Sequence, residues 1–202
     1  MARISWIKDN LNGRLDSIVG SSWKGIPYVK TFVAPSNPDS PAQRQIRGAF
    51  RHLTHIGNAI RQTILSHAWP APHKQTATNA FVHLNKHMLG QAIKWIPAEM
   101  QLMNGEMNSN PITAAIADAP NAVINVSWIN PTTDPDNKPC IMLYDETSGV
   151  VQSEYLPFDD AAIEFSDPRI DYSQPDKVHI YLAWSNDVLK QSSATSHKVC
   201  TV

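Results

Sequence analysis

Apolar and polar positions alternate with a period of two near the front of the chain. Leu15, Ser17, Val19, Ser21 and Trp23 form one run, and Ile26, Tyr28, Lys30 and Phe32 the next. A period of two is that of a strand, and Lys24-Gly25 between the runs supplies a residue that tolerates positive φ. The stretch SSWKGIPYVK therefore predicts a β-hairpin. A phosphate loop would need several glycines leading into a helix, whereas Gly25 is followed by Ile26-Pro27 in an extended run.

The next segment, APSNPDSPAQRQ, carries three prolines and predicts an extended arm, because a residue before proline is pushed out of the α region. A helix start follows. Ser40 can cap, Pro41 suits the first helical position where its missing N–H is no loss, and Gln43 completes a capping box. Apolar residues then recur at Ile46, Ala49, Phe50, Leu53, Ile56, Ile60 and Ile64, which predicts an amphipathic helix running to about Ser66. Trp69-Pro70-Ala71-Pro72 breaks it. Thr76 or Thr78 can cap a second helix with Ala77, Phe81, Leu84 and Met88 on one face, ending near Gly90 and packing on the first as a hairpin.

After Pro97 the pattern changes to short β-prone runs cut by Pro, Asn, Asp and Gly. They are 100–103, 122–129, 140–144, 150–155, 161–165, 178–184 and 197–202. Such runs predict an antiparallel sandwich of immunoglobulin or fibronectin type III kind, with Trp128 in the core of its second strand and VHIYLAW a central strand. The expected class is α+β: a β-hairpin, extended arm and helical hairpin over 1–97, followed by an Ig-like β-sandwich over 98–202.

Composition supports a globular chain. With 202 residues, 42% hydrophobic and 17% charged, it can bury one good core or two small ones. Fifteen prolines against eight glycines predict many short, stiffly linked elements. The opening MARISWIKDNLNGRL places Lys8, Asp9 and Arg14 before any apolar run long enough for a signal sequence, and no window approaches a spanning helix. The expectation is a soluble, unexported protein of a virion or the bacterial cytoplasm, with extracellular assembly open only by a non-classical route. Cys140 and Cys200 lack CxxC spacing and read as reduced, buried thiols.

Charge changes the picture more. Residues 1–100 carry 12 Lys+Arg against 4 Asp+Glu, while residues 101–202 carry 5 against 14. A net charge of −1 thus conceals a strong asymmetry. A basic half calls for an acidic partner, and the acidic half of another copy is one.

Candidate chemistry is sparse. His52, His55, His67, His73, His83 and His87 fall in the helical region, two pairs at the three-or-four spacing that can hold zinc. His83 and His87 lie opposite Phe81 and Leu84, however, and no HExxH pattern is present, so surface histidines are expected. The carboxylates Asp145-Glu146, Asp159-Asp160 and Asp167 lack a calcium-loop register and read as loop residues. No GxSxG elbow supports a nucleophile. Arg44, Arg47 and Arg51 follow three-and-four spacing with no acid in the helix, giving a basic edge beside the apolar stripe.

Three segments carry a resemblance: IVGSSWKGIPYVKT, SPAQRQ and NAFVHLN. In this order the chain resembles a family of uncharacterised bacterial proteins, mainly from Bacteroidetes, grouped as a domain of unknown function with a VVGSSWKGI-YVRS-like opening. Lys30 stands where arginine is expected, and Pro27 follows Ile26. The resemblance implies a hairpin and helices before an immunoglobulin-like sandwich, association with phage or mobile elements, and no catalytic residue.

The expected function is a non-enzymatic structural subunit that self-assembles head-to-tail, as a phage virion component or a bacterial filament or tube. Its expected contacts are Trp23, Lys24, Tyr28, Lys30, Arg44, Arg47 and Arg51 on one side and Asp159, Asp160 and Asp167 on the other. No cofactor or metal is expected. The alternatives are a nucleic-acid-binding accessory protein using Arg44, Arg47, Arg51 and Lys24, and a surface- or carbohydrate-binding adhesin using exposed aromatic residues of the sandwich.

Overall fold

The computed structural model describes residues 13–23, 26–34, 36, 39–68, 75–89, 96–131 and 133–201. Two compact units divide at Ser40/Pro41. The first contains an antiparallel meander of β1 (Gly13–Leu15), β2 (Ile18–Trp23) and β3 (Ile26–Thr31). Asp16 turns the chain between β1 and β2 at φ 51, a left-handed conformation that Asp tolerates better than most residues. The expected hairpin is present, with Ser21 opposite Tyr28 and Trp23 opposite Ile26, and β1 adds a third strand. All six residues of β3 are exposed, and among the unit's described residues only Gly20 is buried.

The second unit starts with α1 (Pro41–Ala59), led by proline as its fixed φ allows. Next comes a π-helical turn, Arg61–Leu65, in which Ile60 O accepts from both Ile64 N and Leu65 N at 2.9 and 3.1 Å. The extra residue of this turn rotates the helix so that consecutive Ile64 and Leu65 are both buried, which a regular helix does poorly. The short α2 (Ser66–Ala68) ends the segment. α3 (Ala77–Leu84) is capped by Thr76, whose Oγ1 accepts from Asn79 N at 3.2 Å. The helices meet where Gly57 faces Phe81, so closely that a β-carbon on Gly57 would stand 3.0 Å from the ring.

The strands form two antiparallel sheets. One has the order β10 (Gln191–Ser192), β9 (Val178–Asn186), β6 (Asn137–Asp145), β7 (Val151–Tyr155), with β11 (Ser196–Val199) also on β9. The other has the order β4 (Ile112–Asp118), β5 (Val123–Trp128), β8 (Ala162–Phe165). β9 is buried along its whole length, which explains why VHIYLAW is apolar without alternation. Its even-facing and odd-facing side chains serve different cores. Cys140, Met142, Tyr144, Tyr181 and Ala183 pack with Leu53, Ile56 and Phe81 of the helices. Ile141, Leu143, Ile180, Leu182 and Trp184 pack with Ile124, Val126, Trp128 and Phe165 of the three-stranded sheet. The unit is therefore layered as helices, five-stranded sheet and three-stranded sheet.

Three expectations differ from this arrangement. Residues 98–202 share a core with the helices, so the compact unit runs from Pro41 and no boundary falls at 97/98. Residues 100–103 are not a strand; they are an extended segment whose Leu102 and Met103 N–H groups both donate to Thr195 Oγ1, at 2.8 and 3.0 Å. The alanine-rich β4 was not expected as a strand, because alanine favours helices and only its pairing with β5 sets its conformation. Both cysteines are free and buried. No helix among the described residues is long and apolar enough to cross a membrane.

Candidate functional site

The first four turns of α1 explain why Arg44, Arg47 and Arg51 stand out. The buried side of the helix begins at Ala49, Leu53 and Ile56, while Ile46 and Phe50 of the same apolar pattern are 45% and 50% exposed. Ile46 and Phe50 sit four residues apart on one face, with Arg47 and Arg51 each one position further on. Together with Thr54 and His55 they line a shallow open groove of about 590 Å³. The chain has no Asp or Glu from residue 40 to 98.

In the first unit, Tyr28 and Lys30 are exposed at alternate positions of β3 and thus share a face. Trp23 ends β2, and Lys24 lies outside the described residues. Large apolar side chains are exposed on the same meander: Ile18, Val29 and Ile26, the last by 67%. Arg14 lays its guanidinium 3.6 Å from the Phe32 ring centroid, a cation–π contact.

The acidic set divides. Asp159 is exposed and Asp160 half-buried in the turn between β7 and β8. Asp167 is buried and used internally: Arg169 donates from Nε at 2.9 Å, from Nη2 at 2.7 Å and from its backbone N at 2.9 Å. These hydrogen bonds hold the Asp167 carboxyl below the usual carboxylate range. Asp167 is therefore a structural residue of its turn, and the partner-facing role expected for it is withdrawn.

A cluster beneath α1 has no local signature in the chain. His179 on β9 donates or accepts at both ring nitrogens, with Glu146 Oε1 at 2.9 Å from Nε2 and His197 Nε2 of β11 at 3.0 Å from Nδ1. The Tyr144 ring stacks near His179, and its hydroxyl meets His52 Nε2 of α1 at 2.9 Å. Tyr181 donates to Pro97 O at 2.9 Å. Burial lowers the pKa of His179, and burial with the adjacent His179 drives that of His197 down to about 4. Both shifts favour the uncharged rings, in which His179 donates from Nε2 to Glu146 Oε1 and accepts at Nδ1 from His197 Nε2. The cluster ties α1, β6, β9 and β11 together. Among the described residues no three of His, Cys, Asp and Glu converge as a metal site.

His83 and His87 are exposed, as their helical position required. His67 stacks on Tyr155 at 4.5 Å and reaches Asp187 at 3.4 Å, an ion pair that joins the helical layer to the turn after β9. No family model matches the chain, and no curated protein matches it.

Proposed function

We propose that this protein is a non-enzymatic structural subunit that assembles head-to-tail with further copies of itself, as in a filament, tube or virion wall. The observation that carries this reading is the β1–β3 meander, among whose described residues only Gly20 is buried. A three-stranded sheet needs an apolar face packed against something to be stable, yet β3 exposes every residue, including Ile26 and Val29. A neighbouring copy supplies that cover. Among the described residues β3 is also an edge strand, and an edge strand can extend another sheet.

The second unit is read as a fibronectin type III-like sandwich carrying a helical layer. The support is the pairing order: counted from β4, the first, second and fifth strands make one sheet, and the seventh, sixth, third and fourth the other. In the constant-type immunoglobulin arrangement the fourth strand lies beside the fifth instead. Such a sandwich is a rigid body suited to repetition, and the resemblance to a phage- or mobile-element-associated family agrees with that use.

The test is removal of residues 1–39. The remaining chain keeps both hydrophobic cores, all of whose residues lie between Leu53 and Cys200, and is expected to fold. It should give smaller species than the full chain at the same concentration in size-exclusion chromatography with light scattering. Equal masses for both forms at every concentration contradict the reading.

A further inference from the structure

The helical layer and the three-stranded sheet lie on opposite sides of the five-stranded sheet, and their outer surfaces carry opposite charge. On the outer face of the three-stranded sheet, Ile116 of β4, Asn125 of β5 and Glu164 of β8 stand in one row across the strands. Ile116 is 46% exposed, and Asn125 and Glu164 are exposed beside it. Asp118 follows two residues along β4, on the same face, and its carboxylate accepts from Asn121 N and Nδ2. Lys198 is bonded to Thr113 O at the other end of β4, which leaves the acid concentrated at the Asp118–Glu164 end.

We infer that the Ile46–Phe50 groove of α1 receives the outer face of the three-stranded sheet of a second copy, centred on Ile116, with Glu164 and Asp118 meeting Arg47 and Arg51. The inference rests on the self-assembly reading and names the surfaces involved. The dimensions agree. Ile46 and Phe50 are about 6 Å apart along the helix. From Ile116, Glu164 is about 10 Å away across two strand spacings and Asp118 about 7 Å along the strand. An apolar side chain can enter between Ile46 and Phe50 while acids lie within reach of arginines one position further on. Nucleic acid fits this groove less well, since a phosphate backbone gains nothing from Ile46 and offers no apolar group to cover Phe50.

The contact joins two different patches, both present on every copy. It is heterologous and propagates as a stack. Opposed charges also make it strongest at low salt.

The test uses the full chain and two surface variants, R47E/R51E and D118R/E164R, in sedimentation velocity at low salt. Arg47, Arg51 and Glu164 are exposed and Asp118 is half-buried, and unchanged thermal melting verifies that each variant folds. Each variant alone is expected to associate at least tenfold more weakly than the unaltered chain. Mixing the two is expected to restore association as an alternating stack, because every junction between the two variants joins opposite charges. A single chain carrying all four reversals is expected to regain stacking. If both variants assemble like the unaltered chain while removal of residues 1–39 abolishes assembly, the inference fails and the broader reading stands. If the unaltered chain is monomeric at every concentration, both fail. Salt-sensitive retention of DNA by the unaltered chain, lost in R47E/R51E and absent in no other way from D118R/E164R, would instead assign the groove to nucleic acid.

Discussion

Gly105 is where single-residue chemistry is most constrained. A β-carbon there would lie 1.8 Å from the backbone oxygen of Ser192, and backbone cannot move aside as a flexible side chain does. Gly105→Ala should lower stability by about 3 kcal/mol and the melting temperature by roughly 9 °C. Calorimetry checks this directly. His197 makes a second prediction, through its proton. Its folded pKa is about 4 against an ordinary value of 6.5, so between those values the unfolded chain binds a proton that the folded chain does not. Stability from this group is full above about pH 6.5 and is lost as pH falls toward 4. His179, lowered in the same direction, adds to the slope. Melting should fall by about 3–6 °C between pH 7 and pH 5, and H197Q should flatten the decline; a profile unchanged by that substitution contradicts the assignment.

At the scale of elements, the legible parts were those with local causes. Pro41 and the recurrence from Leu53 to Ile64 place α1, and Thr76 caps α3 through its own side chain. Thr76→Ala should cost about 1 kcal/mol of stability in denaturant titration. The π-helical turn was not legible, because its benefit is tertiary: it turns both Ile64 and Leu65 onto the sheet. β4 was missed for a related reason, its ITAAIAD run being held as a strand by β5 and by Thr201, which bonds Ala115 and Ala117. Ala122, in the turn after β4, sits at φ 55, where a β-carbon is disfavoured. Ala122→Gly should raise stability by about 0.5–1 kcal/mol, measured in the same titration. Of the candidate residues, the basic edge of α1 was legible from spacing alone. The burial of Asp167 and the His179–His197 pair were not, since neither loop geometry nor the pairing of β11 with β9 is encoded near those residues.

On the scale of the whole molecule, the uneven distribution of charge in the sequence becomes a direction in space within the second unit. The helical layer holds Arg44, Arg47, Arg51 and Arg61 without a single acid, and beyond the central sheet the three-stranded sheet exposes Glu164. Opposite charge on opposite faces, with apolar side chains exposed at Ile46, Phe50 and Ile116, favours copies adding in one direction. The meander exposes a further apolar surface at Ile26 and Val29. The most direct measurement is sedimentation velocity of the intact chain across protein concentration at 20 mM and at 500 mM salt. Species that grow with concentration at low salt and shrink at high salt are predicted, and a single monomer boundary under every condition would contradict the account.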